Sequence, residues 1–250
     1  MVDIMYFLFF MIGIVLGSFL NVCIYRIPRG ESIVAPPSRC PACGTRLRAL
    51  DLLPVLSWLW LRGRCRYCGA GVPAKYPLVE LLSGMIYVGL YHNFGLQPVL
   101  AGGLILASIL IVVTFTDLEH YRIPNKVVLF GFLAGLGYVI WSKEPPLINA
   151  FFGVLAGGGP LYLLALLTSG MGGGDVKLAA MAGLYLGWQK VILALFLAAG
   201  LASLVGMTLI ALGIKKRKDP IPFGPFIALG TMISLLWGKQ LIEWYLTMLY

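Results

Sequence analysis

Four cysteines stand in two pairs, Cys40-Pro-Ala-Cys43 and Cys65-Arg-Tyr-Cys68, separated by 21 residues and each followed by a glycine, Gly44 and Gly69. A two-residue gap turns both thiolates of a pair toward one ion, and two such pairs complete the tetrahedral sulfur set that zinc prefers. Disulfides and free thiols are the alternatives, and a reducing compartment disfavours disulfides. Four thiolates close the coordination sphere, so the metal is expected to be structural. A zinc hydrolase would keep an open position and usually histidines; the chain has only His92 and His120 and no HExxH. Cys23, within an apolar run, reads as a small buried apolar residue.

The second candidate chemistry belongs to two carboxylates. Asp117 ends an apolar run in Thr114-Phe115-Thr116-Asp117-Leu118-Glu119, and Asp175 opens another in Gly172-Gly173-Gly174-Asp175-Val176-Lys177. Ionisable groups at membrane depth are costly, so each is a functional candidate by default. Two carboxylates brought together share one proton, one serving as base and the other as acid. That pair can activate water against a peptide carbonyl and protonate the leaving amine. Gly172, Gly173 and Gly174 leave bare backbone beside Asp175, where an extended substrate can lie. Singly, each aspartate has a plainer reading: Asp117 as a helix-end charge paired with Arg122, Asp175 as an N-cap or first-turn acid. Serine chemistry has little support, because there is no GxSxG and Ser83, Ser108 and Ser169 lack an evident base.

The elements that must position these groups are membrane helices. Of 250 residues, 60% are hydrophobic and 12% charged, with a mean hydropathy of +0.90, whereas a soluble domain carries roughly 25% charged residues. Spanning helices need ~20 apolar residues. Apolar runs cover about 4–24, 76–91, 98–116, 127–141, 147–169, 178–188, 191–214 and 223–237. The expected fold is all-α, a polytopic membrane helical bundle of about eight transmembrane helices with a small cytoplasmic zinc-binding segment built on the four cysteines. Three parts follow: a first helix at 1–25, the zinc segment at 26–75 and a seven-helix region at 76–250. The run at 178–188 is short for a crossing and reads as tilted, shallow or extended by Gly173 to Lys177. The many glycines within spans, among them Gly131, Gly135, Gly153, Gly157, Gly183 and Gly187, read as close helix packing in preference to flexibility for a peptide substrate.

The net charge of +9 reports orientation in preference to nucleic acid, because cytoplasmic loops retain Lys and Arg. Nine basic residues fall between Arg26 and Lys75, against Glu31 and Asp51. The first run carries Asp3 before it and Arg26 and Arg29 after it, the opposite polarity to a secretory signal. Threading eight spans from an external N-terminus puts sixteen of the 19 basic residues inside, leaving Lys143, Lys190 and Lys239 outside. The cysteines then lie in the reducing cytosol, and Asp117 and Asp175 both lie at the cytoplasmic edge.

These residues resemble the bacterial type IV prepilin peptidases, also called prepilin leader peptidases/N-methyltransferases. The likeness covers nearly the whole chain: Gly17-Ser18-Phe19-Leu20-Asn21-Val22 with Arg26 and Pro28; Pro37-Ser38-Arg39-Cys40-Pro41-Ala42-Cys43; Tyr76-Pro77-Leu78-Val79-Glu80; Asp117 followed by Ile123-Pro124-Asn125; the glycine run through Lys177; and Pro222-Phe223-Gly224-Pro225. The resemblance implies an aspartic endopeptidase of the inner membrane that removes the short basic leader of prepilins and pseudopilins, cutting after a glycine, with Asp117 and Asp175 as the catalytic pair. It also implies methylation of the new amino terminus by S-adenosylmethionine. One departure is Asn125, where many members carry Asp, so this position supplies no third acid.

The methyltransferase site must be built from the first span, the cysteine segment and the Glu80 region, since no glycine-rich nucleotide loop occurs. Glu80 sits just inside the second span and is the best of the cytoplasmic-side acids to receive leader cations or the new amino terminus; Glu31 and Glu119 read as solvated or ion-paired surface residues. Two rival classes remain: a zinc-stabilised transporter using Asp117 and Asp175 for proton or cation coupling, and a non-catalytic scaffold of a secretion apparatus.

Overall fold

A computed structural model of the chain describes residues 2–168, 171–216 and 219–249. Ser169 and Gly170, at the end of an expected span, and Arg217 and Lys218, counted among the internal charges, lie outside the described residues. Helices α1 (Val2–Arg26), α2 (Leu56–Trp60), α3 (Lys75–Phe94), α4 (Pro98–His120), α5 (Asn125–Ser142), α6 (Leu147–Thr168), α7 (Gly173–Leu186), α8 (Trp188–Ala211) and α9 (Gly224–Leu249) follow in order. No strand forms among the described residues, only isolated bridges at Arg39–Arg46 and Arg64–Gly71. The eight expected spans correspond to α1 and α3–α9, with α2 a single short turn inside the polar segment.

Six of these helices, α1, α4, α5, α6, α8 and α9, are long and apolar enough to cross a membrane. Helix α3 has the length but is less apolar, and α7 has only 14 residues. The protein is a multi-pass membrane protein. Its helices carry large apolar side chains outward as well as inward, for instance Phe130, Leu133 and Ile140 on α5, as lipid-facing surfaces require. The expected limit at Trp188 is corrected: Gly187, at φ +76, ends α7, and Trp188 starts α8. The expected last span ending at 237 likewise continues to Leu249.

The chain divides into two compact units, Met1–Leu96 and Gln97–Tyr250. In the first, α1 packs along α3 through a small-residue stripe. A Cβ on Gly13 would stand 2.7 Å from Gly84 Cα, and one on Gly17 would stand 2.7 Å from Glu80 Cα. Asn21, 4% exposed, donates its side-chain amide to Tyr76 O at 3.0 Å, tying the polar ends of the two helices.

In the second unit α7 is the core helix. Leu178, Ala179, Met181, Ala182, Leu184, Tyr185 and Leu186 are all buried, so α7 is enclosed by its neighbours. Gly153 of α6 and Gly183 of α7 are mutually in backbone contact, and Gly157 faces the Ala179 carbonyl; Gly131 and Gly135 of α5 make room for Met181 and Tyr185. This is the close packing that lipid-embedded helices use in place of a hydrophobic driving force. Replacing Gly183 by leucine should therefore lower the thermal midpoint in detergent by the equivalent of about 3 kcal/mol, the upper range for overpacking. Gly89→Ala, where an added Cβ meets nothing within 4 Å, should leave it unchanged or raised. A parent-like melting curve for Gly183→Leu would disprove the packing argument.

Candidate active site and metal centre

The two cysteine pairs form near-identical turns. Cys40 N–H donates to Thr45 O at 2.9 Å and Gly44 N–H to Cys40 O at 2.9 Å; in the second, Cys65 N–H donates to Ala70 O at 2.8 Å and Gly69 N–H to Cys65 O at 2.9 Å. Each turn closes through a glycine in the left-handed region, Gly44 at φ +69 and Gly69 at φ +72, which a side chain would disfavour. The four Sγ atoms lie within 4.8 Å of one another, with Cys40 and Cys68 at 3.9 Å. Four sulfurs at ~2.3 Å from a tetrahedral zinc stand about 3.8 Å apart, so the donor set fits the ion.

The electrostatics agree. The Thr45 hydroxyl and backbone lower the Cys43 thiol to about 6, and the Cys68 and Tyr67 amides lower Cys65. Against the Ala70 amide, desolvation and the neighbouring sulfurs hold Cys68 up at about 11. Four thiols this close cannot all ionise unaided, and a dication removes the conflict. The second turn is also clamped from the intervening loop. Asp51, with a side chain 4% exposed, accepts from Arg66 Nε at 2.6 Å, from Tyr67 Oη at 2.8 Å and from Arg48 N–H at 3.0 Å. Desolvation opposes its ionisation, but the Arg48 amide, Arg66 and Tyr67 outweigh that and hold its carboxyl below the usual range.

In the second unit Asp117 occupies the last turn of α4 and is 5% exposed. That helix stops at Tyr121, whose left-handed backbone (φ 53) returns its N–H to Asp117 O at 2.8 Å. The Asp117 Oδ2 accepts from Gly224 N–H at 2.9 Å. Among the described residues Asp117 forms no ion pair with Arg122. Asp175 lies in the first turn of α7, where Gly172 is the N-cap and Gly172 O accepts the Asp175 N–H at 3.1 Å. Its half-buried carboxylate folds back over Gly172, at 3.2 Å from where a Cβ would be. The fold thus brings the end of α4 and the start of α7 together, and the charge of Asp117 acts directly on Asp175.

Ile123 fills the space beside both, touching the Cβ positions of Gly174 and of Gly224 at 2.9 and 3.3 Å. Gly172 and Gly173 are exposed and Gly174 is half-buried, leaving backbone accessible along one side. Lys177 Nζ reaches Asn125 Oδ1 at 3.0 Å, joining the α5 and α7 starts. Glu80, the acid expected to receive leader cations or the new amino terminus, belongs to the other unit, where its Oε2 accepts the Val55 N–H at 2.7 Å.

Gly224 and Val55 received no role from the sequence. A glycine between Phe223 and Pro225 at a helix start was the available signal for Gly224. Its alanine variant would put a Cβ 2.8 Å from Asp117 Oδ2, forcing the carboxylate aside. Any hydrolysis that the two carboxylates perform should fall by roughly 100-fold in Gly224→Ala, the scale of a 1 Å misplacement; undiminished hydrolysis would separate Gly224 from the site.

Two carboxylates that interact at one end of a membrane bundle, flanked by bare glycine backbone, define a membrane protein with the makings of an aspartic peptidase. Residues 11–94 match the family model described as "Bacterial Peptidase A24 N-terminal domain" and residues 104–207 that described as "Type IV leader peptidase family". The chain is 37% identical to the prepilin leader peptidase/N-methyltransferase of Aeromonas hydrophila, covering 96% of this chain and 93% of that protein. It is 33% identical to the protein of the same name from Bacillus subtilis (strain 168), over 96% and 97%, and 32% identical to that of Pseudomonas aeruginosa, over 94% and 91%. No solved structure matches the chain. The chain belongs to the type IV leader peptidase family.

Proposed function

We propose that the protein removes the basic leader of prepilins and pseudopilins and then methylates the exposed amino terminus, with S-adenosylmethionine as methyl donor. The observation that carries the peptidase half is the meeting of Asp117 and Asp175 within one unit, beside the accessible backbone of Gly172–Gly174. In this reading the pair shares one proton: one carboxylate activates water against the scissile carbonyl while the other protonates the leaving amine. The glycine backbone receives the extended substrate. A transporter role has no support from the family or the relatives.

The charge distribution supports an external N-terminus, with the zinc segment and both aspartates at the cytoplasmic face of the inner membrane. A prepilin places its apolar helix in the bilayer and its basic leader in the cytosol, so its scissile bond arrives at the depth of the aspartates. Cys40, Cys43, Cys65 and Cys68 hold one structural zinc ion. Mass spectrometry of a prepilin incubated in detergent with the purified protein and S-adenosylmethionine tests both halves at once. Leader loss with the added mass of one methyl group is expected; an unaltered prepilin refutes the reading.

A further inference from the structure

Within the first unit a cavity of about 250 Å³ opens between α1, α3 and the zinc segment. Its α1 and α3 walls carry Ser18, Asn21 and Glu80, and the wall from the zinc segment carries Trp58, Arg39 and Arg64. Glu80 is 7% exposed. Its carboxylate is met by neutral donors alone, the Val55 N–H at 2.7 Å and the Ser18 side chain, and no basic side chain pairs with it among the described residues. Asp51, the other acid lining the cavity, is by contrast saturated by Arg66, Tyr67 and the Arg48 amide. Breaking a buried charge pair is costly because it leaves a charge uncompensated, so a buried carboxylate facing a cavity without a counter-ion is shaped for a cationic group.

The backbone beside it is strained. Val55, a β-branched residue, sits at φ 60, ψ −51, and Leu56 N–H donates to Pro54 O at 2.6 Å. This is the rarer, positive-φ γ-turn, in a region that β-branched residues avoid. The turn aims the Val55 N–H at Glu80 Oε2, at 2.7 Å, and so holds the carboxylate in the wall of the cavity. Strain of this kind persists where the surroundings over-determine it, and such places cluster at ligand sites.

We propose that this cavity is the acceptor pocket of the methyl-transfer reaction, with the Glu80 carboxylate receiving the free α-ammonium of the polypeptide to be methylated. The inference rests on the methyltransferase reading above. The acceptor is the end of an apolar helix and reaches the pocket from the bilayer side, where Glu80 lies; a water-soluble sulfonium donor enters from the Arg39 and Arg64 side, whose guanidinium groups suit its carboxylate. The ammonium passes one proton to Glu80. The freed nitrogen lone pair forms the new N–C bond to the methyl carbon as the C–S bond breaks, and that bond's electron pair returns to sulfur, releasing the neutral thioether.

The test uses a synthetic peptide that begins with a free phenylalanine amine, its N-acetylated form, and sinefungin, a stable analogue of the methyl donor, each titrated against the full-length protein in detergent. Glu80→Gln keeps an acceptor for the Val55 N–H and removes only the charge, and retained zinc content and melting temperature report its fold. The parent should prefer the free amine over the acetylated form by about tenfold or more, and Glu80→Gln should lose that preference while binding sinefungin as the parent does. Methyl transfer to the free peptide should drop about 100-fold, the lower range for losing a general base, with partial recovery in Glu80→Asp. Retained amine preference in Glu80→Gln, or loss of sinefungin affinity in its place, overturns the proposal. Failure of the parent to methylate any peptide refutes the methyltransferase reading instead, because the binding preference is read independently of it.

Discussion

The Asp117→Asn protein is expected to remove no leader within the detection of a gel-shift assay, a fall of about 10⁴-fold or more in the rate of cleavage. Members of a catalytic set that act together each cost this much when removed alone. The argument is geometric. Asp117 is 5% exposed at the end of α4 and is held by the Gly224 amide at 2.9 Å, and Asp175 lies within its electrostatic reach at the start of α7. Asparagine keeps the volume and can still accept the Gly224 N–H, so the fold survives; what it removes is the ability to share a proton. Asp175→Asn should be as severe, and the double variant no worse than either single one, because the pair fails as a unit. Independent, multiplicative losses would show that the two carboxylates do not act together. Cleavage near the parent rate in either single variant, in a protein with an unchanged melting curve, would end the assignment.

The second large effect concerns the metal. Replacing Cys40 and Cys65 by serine should take the zinc content from about one ion per chain to none by elemental analysis, and abolish methyl transfer. A structural zinc site contributes an apparent ~10–16 kcal/mol of binding free energy that appears as folding free energy, more than the polar segment can replace. Arg39, Cys40, Cys65 and the Asp51 clamp line the cavity above Glu80, so loss of the turns removes a wall of it. The contacts described around Asp117 come from residues of the second unit, so leader removal should fall far less than methylation. Full methylation by a zinc-free protein would show that the sulfurs hold no structural metal. A chelator strong enough to strip the parent should reproduce the serine phenotype, and added zinc should reverse it.

The parts of this molecule that could be read ahead of its structure are those fixed over short distances. Two CxxC turns with a following glycine are local objects, and their spacing announced a sulfur cluster before any fold was known. Apolar runs marked the long helices nearly to their ends, because lipid imposes length and composition together. Boundaries failed where composition does not change: Trp188 is as apolar as its neighbours, and only the backbone of Gly187 shows that one helix ends there and another begins. What periodicity cannot carry is the partner across the bundle. The amide that holds Asp117 comes from Gly224, 107 residues away, and the acid in the cavity wall is engaged by a strained turn at Val55, 25 residues before it. Glu80 stands out in the sequence as an acid just inside an apolar run, but residue type does not say which carboxylates share a unit, and the fold puts it in the first while Asp117 and Asp175 lie in the second.

The shortness of α7 bears on how a protease obtains its reagent. Fourteen residues rise about 21 Å at 1.5 Å each, roughly 9 Å less than the hydrocarbon thickness of a bilayer. Each leader removed consumes one water molecule, and lipid supplies none. A helix this short does not cover that thickness, and the exposed backbone of Gly172 and Gly173 at its start needs water as its partner, since lipid offers none. The glycines that open α7 thereby call for water next to the carboxylate that hydrolysis would use.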